Sequence, residues 1–110
     1  MDRIFCRRGN VLMTLGEKRT LFTQMIIILV QYADLIGYEV RFDKEHCNHH
    51  PRSLHYEGLA KDILLFKDGE YLTKTSDYEK LGRFWKFIGG TWGGDFNDGN
   101  HFSLEHNGMK

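Results

Sequence analysis

Between Thr14 and Gly37 the apolar residues of this 110-residue chain recur at helical spacing. That run constrains the fold more than any other stretch. Leu21, Met25, Ile28, Leu29, Tyr32 and Ile36 fall three or four positions apart, as one face of a helix requires. Ile26, Ile27 and Val30 widen the stripe until most of the circumference is apolar, the pattern of a central, buried helix. Thr14 stands three residues before Glu17, a capping-box signature for the helix start. Gly37 supplies a plausible C-terminal stop. A helix of roughly twenty residues is about 30 Å long, so the remainder of the chain must cover it.

The remainder reads as short strands and one more helix. "YEVRF", residues 38–42, alternates as a strand does, and the polar "DKEHCNHHPRS" after it, with the one proline, reads as a loop. "AKDILLF" and "EYLT" flank "KDG", so Asp68-Gly69 turns a β-hairpin. Ser76 and Glu79 form a second capping-box pattern. It opens a helix to about Ile88, with Leu81, Phe84, Trp85 and Ile88 on one face and Gly89-Gly90 as its stop. "TWGGDFNDGN" reads as a glycine-rich loop and "HFSLE" as a closing strand. The expected class is α+β, a small antiparallel sheet with helices packed on one side. Residues 1–12 read as a poorly specified leader and 13–110 as a single domain.

Composition narrows the function. Fifteen basic and fifteen acidic residues leave no formal net charge, and no basic stripe is visible. That disfavours a nucleic-acid partner, including a nuclease built on the histidine-rich loop. "MIIILV" is too short to span a bilayer, and "MDRIFCRRGN" is charged and lacks the apolar core of a signal peptide. The expectation is a monomer made in the cytoplasm without a signal peptide or membrane insertion. Cys6 and Cys47 match no zinc spacing and read as two reduced thiols.

The chemistry-bearing residues lie in two separated stretches. In "SLHYEGLAKD", residues 53–62, His55 and Asp62 flank Gly58 and Ala60. A tight turn through Gly58 brings both side chains to one point, and Ala60 keeps bulk away from it. A catalytic zinc takes three protein ligands and keeps one position open. The third ligand comes from "DGNHFSLEH", where His101 begins the last strand and Asp98 precedes it by three residues. Asp98 then lies beside the ion as general base toward an attacking water, and afterwards as acid toward the leaving amine. Adjacent histidines in "HCNHH", residues 46–50, usually point apart and form no designed second site. Trp85 reads as core and Lys61 as solvent-facing. Trp92, in the glycine-rich loop, is open to two roles, lining the substrate cleft or packing. His106 is likewise open between the pocket and the surface.

Together the two stretches resemble the zinc D-alanyl-D-alanine carboxypeptidase and L-alanyl-D-glutamate endopeptidase family. "SLHYEGLAKD" looks like its SxHxxGxAxD motif, and "DGNHFSLEH" like its second motif, an acid three residues before the last zinc histidine. Residues 60–110, with the hairpin and "GGTWGG", are similar to short, signal-less phage endolysins and prophage peptidases of the group. The resemblance implies a hedgehog-like or D-Ala-D-Ala-peptidase-like fold. It implies one zinc ion on His55, Asp62 and His101, Asp98 as catalytic acid/base, and Ser53 as a supporting residue. The implied reaction is hydrolysis of a peptide bond in the stem peptide of bacterial peptidoglycan, on the wall after release from the cell. Relatives often carry an arginine in a "YR" pair upstream of the first histidine, and this chain has no such pair. Arg41 or Arg52 is left for that work, Arg41 on the firmer platform of a strand. The alternative is a zinc-containing binding module of the same fold without turnover.

Overall fold

The Thr14 capping box forms as the spacing predicts. In the computed structural model, which describes residues 13–44, 54, 55 and 57–110, the Thr14 hydroxyl accepts from the Glu17 N–H at 3.1 Å. The Glu17 carboxylate accepts from the Thr14 N–H at 3.0 Å. The helix α1 then runs Leu15–Leu35. It ends in a Schellman motif: Gly37 N–H donates to the Asp34 carbonyl and Tyr38 N–H to that of Ala33. Gly37 sits at φ +98°, a conformation that a side chain disfavours.

One expectation fails on this helix. It is not buried all round: Leu21, Phe22, Met25, Ile26, Leu29 and Ala33 form the covered face, while Ile27 is 53% and Leu35 82% exposed. A sheet this small covers one side of a helix and no more, so the extra apolar residues widen the stripe without adding burial.

The sheet has five strands among the described residues: β1 Glu39–Phe42, β2 Ala60–Lys67, β3 Glu70–Leu72, β4 Thr91–Trp92 and β5 His101–Ser103. All pairings are antiparallel. The Asp68-Gly69 turn forms, with both residues at positive φ. Strand β2 is central, its register with β1 pairing Arg41 with Leu64 and its register with β5 pairing Asp62 with His101. The second helix, α2 Glu79–Phe87, is preceded by a 3-10 turn, Thr75–Tyr78. The Ser76–Glu79 box does not form. The Asp77 carboxylate accepts from the Lys74 N–H at 3.0 Å instead, which starts the turn two residues earlier. The glycine-rich segment is more regular than a loop: it holds β4 and a second 3-10 turn, Gly93–Phe96.

Alternation along the strands separates the sheet's two faces. Ile63 and Leu65 of β2 and Phe102 of β5 are fully buried and join one apolar cluster with α1 and α2. Trp85 of α2 meets Phe102 edge-on at 5.9 Å and Phe22 of α1 at 5.8 Å, and its indole N–H donates to the Ser103 carbonyl. The helices thus cover one face, as the class requires. Asp62 and His101, one residue out of step with Ile63 and Phe102, project from the other.

Strands β3 and β5 meet the same edge of β2, end to end, and leave a gap between them. Two groups fill the ladder there. Ile63 N–H donates to the Asn100 carbonyl at 2.9 Å. Leu65 N–H donates to the Tyr78 hydroxyl, which in turn donates to the Leu72 carbonyl at 2.8 Å. The tyrosine oxygen thus bridges two backbone groups, the Leu65 N–H and the Leu72 carbonyl, at the end of the β2–β3 pairing.

Burial pushes the Tyr78 hydroxyl above its usual pKa, assisted by Tyr71, Asp77 and Asp43; the Leu65 N–H acts in the opposite direction. A raised folded-state value means that this group's contribution is whole below about pH 10 and is lost as pH climbs through the folded value. The wild type is therefore expected to lose stability above about pH 10. Tyr78→Phe leaves the Leu65 N–H buried without its acceptor, at a cost of about 1–3 kcal/mol, and flattens that alkaline decline. Thermal melts of both proteins at neutral and alkaline pH check this.

Candidate metal and catalytic site

The site is assembled on the face of the sheet away from the helices. Its first side chain comes from the turn before β2. There Gly58 N–H donates to the His55 carbonyl and Leu59 N–H to that of Leu54, a paired closure that needs Gly58 at φ +73°. Arg19 of α1 fastens the turn from outside, its Nε donating to the Glu57 carbonyl at 2.7 Å. Leu59 and Ala60 are buried, so the turn is seated on the core.

The other two side chains are cross-strand neighbours, Asp62 on β2 and His101 on β5, whose register puts them on one face of the sheet. Oδ1 of Asp62 lies 3.4 Å from Nε2 of His55 and 3.5 Å from Nδ1 of His101. The imidazoles are 5.4 Å apart, centroid to centroid. One donor atom from each of the three residues lies within 4.8 Å of the others. For ligands about 2.1 Å from a tetrahedral ion the edge of the tetrahedron is about 3.4 Å, so the two oxygen–nitrogen separations are those of a shared ion. The chemistry of the set agrees: two neutral nitrogens and one carboxylate suit a borderline cation such as zinc. The His101 ring is nearly buried, and its Nε2 has no hydrogen-bond partner among the described residues. Phe96 stands 5.9 Å from that ring and is itself half exposed.

The loop before β5 ties the backbone of Asp98 to that of His101. Asp98 N–H donates to the Gly93 carbonyl at 2.8 Å, and the Asp98 carbonyl accepts from the His101 N–H at 3.1 Å. The acid and the histidine are therefore the two ends of one tight turn. Gly93 is packed so closely that a Cβ there would lie 2.2 Å from the Asp98 carbonyl oxygen and 2.7 Å from the His101 Cβ. Asp98 is exposed and lines the gap between β3 and β5, a cavity of about 220 Å³.

The remaining candidates fall elsewhere. Trp92 does not line the cleft: it is buried, with its ring against Gly82 and Gly94, and its indole N–H donates to the Gly99 carbonyl at 2.7 Å. It thus holds the residue next to Asp98. Arg41 projects from the same face as Asp62, across from Leu64. Its guanidinium stacks 4.1 Å above Phe66, on the far side of Leu64 from Asp62, and lies 4.0 Å from a Glu39 carboxylate oxygen. Arg52, Ser53 and the histidines and cysteine of residues 46–50 lie outside the described residues. His106 is away from the metal group, its Nδ1 3.0 Å from Lys18 Nζ at the start of α1.

Tyr71, Thr73, Thr75, Asn97 and Asn100 join Asp98 around the cavity. No motif marks them. They come from the end of the hairpin, the 3-10 turn and the last loop, and only the split in the sheet brings them together.

A family model described as D-alanyl-D-alanine carboxypeptidase matches residues 47–104, just over half of the chain. That span contains His55, Asp62, Asp98 and His101. Comparison with curated proteins finds no match. No helix among the described residues is long and apolar enough to cross a membrane.

Proposed function

This chain belongs to the D-alanyl-D-alanine carboxypeptidase family, and from that premise we propose that it is a zinc-dependent hydrolase of the stem peptide of bacterial peptidoglycan. The observation that carries the metal dependence is the placing of two imidazole nitrogens 3.4 and 3.5 Å from one carboxylate oxygen on the face of the sheet away from the helices. His55, Asp62 and His101 would hold one zinc ion, with Ser53 supporting them. When bound, zinc polarises the scissile carbonyl as a Lewis acid and lowers the pKa of water toward about 7.

Asp98 does the proton work. It sits at the mouth of the cavity on a backbone fixed at both ends, its N–H to Gly93 and its carbonyl to His101. Its carboxylate takes a proton as water adds to the scissile carbonyl. It returns that proton to the amine as the carbon–nitrogen bond breaks. The products are a carboxylate and a free amine.

The finer assignment follows the sequence resemblance. We place the protein with the short phage endolysins and prophage peptidases: a monomer with residues 13–110 as its single domain behind a short leader, made in the host cytoplasm and acting on the wall after release. Cleavage of an internal L,D bond and removal of a terminal D-residue are both reactions of the resembled family. The notch beside Asp98 bears on that choice.

Purified walls test the reading. The zinc-loaded protein is expected to release free amines without any rise in reducing sugar ends, and a chelator to stop the release. Mass analysis of the digested muropeptides identifies the bond. Zinc binding with no amine release would make the protein a binding module of the same fold.

A further inference from the structure

Resting on that reading of the site, we infer that the notch between β3 and β5 is a substrate subsite that prefers an uncharged or amine-bearing group of the peptide over a carboxylate. The notch is built into the fold. It exists because β3 and β5 share one edge of β2 without meeting, and the Tyr78 hydroxyl, between Leu65 N–H and the Leu72 carbonyl, closes the β3 end of the gap. Its far wall is the loop that carries Asp98, which packs on the 3-10 turn so tightly that a Cβ on Gly99 would lie 2.6 Å from the Thr75 Cα. A peptide reaching the metal group past Asp98 therefore has this cavity beside it.

The lining decides what fits. Tyr71, Thr73 and Thr75 offer hydroxyls, and Asn97 and Asn100 offer amides. Each of those groups can both donate and accept, so together they satisfy a peptide amide, a hydroxyl or an ammonium. The one ionised side chain among the described lining residues is the Asp98 carboxylate. Asp43 and Asp77 also lie close enough to Tyr78 for their charges to bear on its hydroxyl. A substrate carboxylate placed there meets the Asp98 carboxylate and no cation among the described lining residues. Arg41, on the same face of the sheet as Asp62, stacks over Phe66 and lies 4.0 Å from a Glu39 carboxylate oxygen. A notch of this kind favours cutting within a peptide, where an amide follows the scissile bond, over trimming a residue that ends in a free carboxylate.

Thr73 is the residue through which to test it, because it lines the notch, is exposed and lies outside every strand and helix. A soluble muropeptide mixture is divided, and the carboxylates of one half are converted to amides with carbodiimide and ammonium. Binding of each half is measured on the chelated protein, which cannot turn over, and kcat/KM of each on the zinc-loaded protein. Wild type is expected to favour the amidated half. Thr73→Lys is expected to move that preference toward the carboxylate half by about fivefold in both assays, the effect of one exposed charge pair. Thr73→Ser, which keeps the hydroxyl, is expected to behave as wild type. A wild-type preference for the carboxylate half, or a ratio unmoved by Thr73→Lys in the binding assay, overturns the subsite. Absence of cleavage with the binding preference intact overturns the hydrolase reading and leaves the subsite standing.

Discussion

Asp98→Asn is expected to lower hydrolysis of wall peptides by a factor of about 10²–10⁴, the usual contribution of a positioned acid/base, while zinc stays bound. Asparagine has almost the same shape, and the two bonds that fix this turn are backbone bonds, Asp98 N–H to Gly93 and His101 N–H to the Asp98 carbonyl. Neither depends on the carboxylate. The variant therefore keeps His101 in place and loses only the group that accepts and returns a proton. Metal content and melting temperature are the controls. A variant that retains zinc and full activity would remove Asp98 from the mechanism, and one that loses zinc as well would show that the turn, not the proton, had been disturbed.

His101→Ala is expected to abolish both activity and the stabilisation that zinc confers. An ion bound only by the folded protein at a thousand times its dissociation constant stabilises by about 4.1 kcal/mol. In a domain of this size that raises the melting temperature by roughly 15 °C or more. The comparison that matters is within each protein, with and without zinc. In the metal-free wild type His101 is nearly buried, with an Nε2 that lacks a hydrogen-bond partner among the described residues. A buried polar group in that state costs about 1–3 kcal/mol. Its removal offsets part of what the lost ring contributes to packing, so the metal-free variant should melt near the metal-free wild type. A zinc-induced rise that survives the substitution would mean that the ion sits elsewhere.

Both results depend on a site whose residues are visible in the sequence and whose geometry is not. The two motifs name His55, Asp62, Asp98 and His101, and the spacings carry the reason: Gly58 for a turn that needs positive φ, and three residues from acid to histidine for a single tight turn. Local rules of this kind are legible because they involve only neighbours in the chain. The α1 capping box, its glycine stop and the Asp68-Gly69 hairpin are legible for the same reason.

What the sequence left open, or placed wrongly in the case of α1, depended on what lies opposite in the fold. Ile27 is apolar and exposed because the sheet is too narrow to reach around α1. Trp92 belongs to the glycine-rich segment and is nevertheless buried, because Gly82 of α2 and Gly94 leave room for its ring. Arg41 stands on the same face as Asp62, with its guanidinium over Phe66 of the neighbouring strand and 4.0 Å from a Glu39 carboxylate oxygen.

The sequence by itself picked out the candidate ligands and the candidate acid, and determined the two helices and the strand that joins the motifs, because each is specified by residues within a turn or two of one another. The tertiary structure alone decided that β3 and β5 stop short of each other along β2, and so that a polar notch opens beside Asp98. No local pattern encodes that gap. It arises from strand lengths and from the register of two separate pairings, and such long-range pairings become definite only when the whole sheet is assembled.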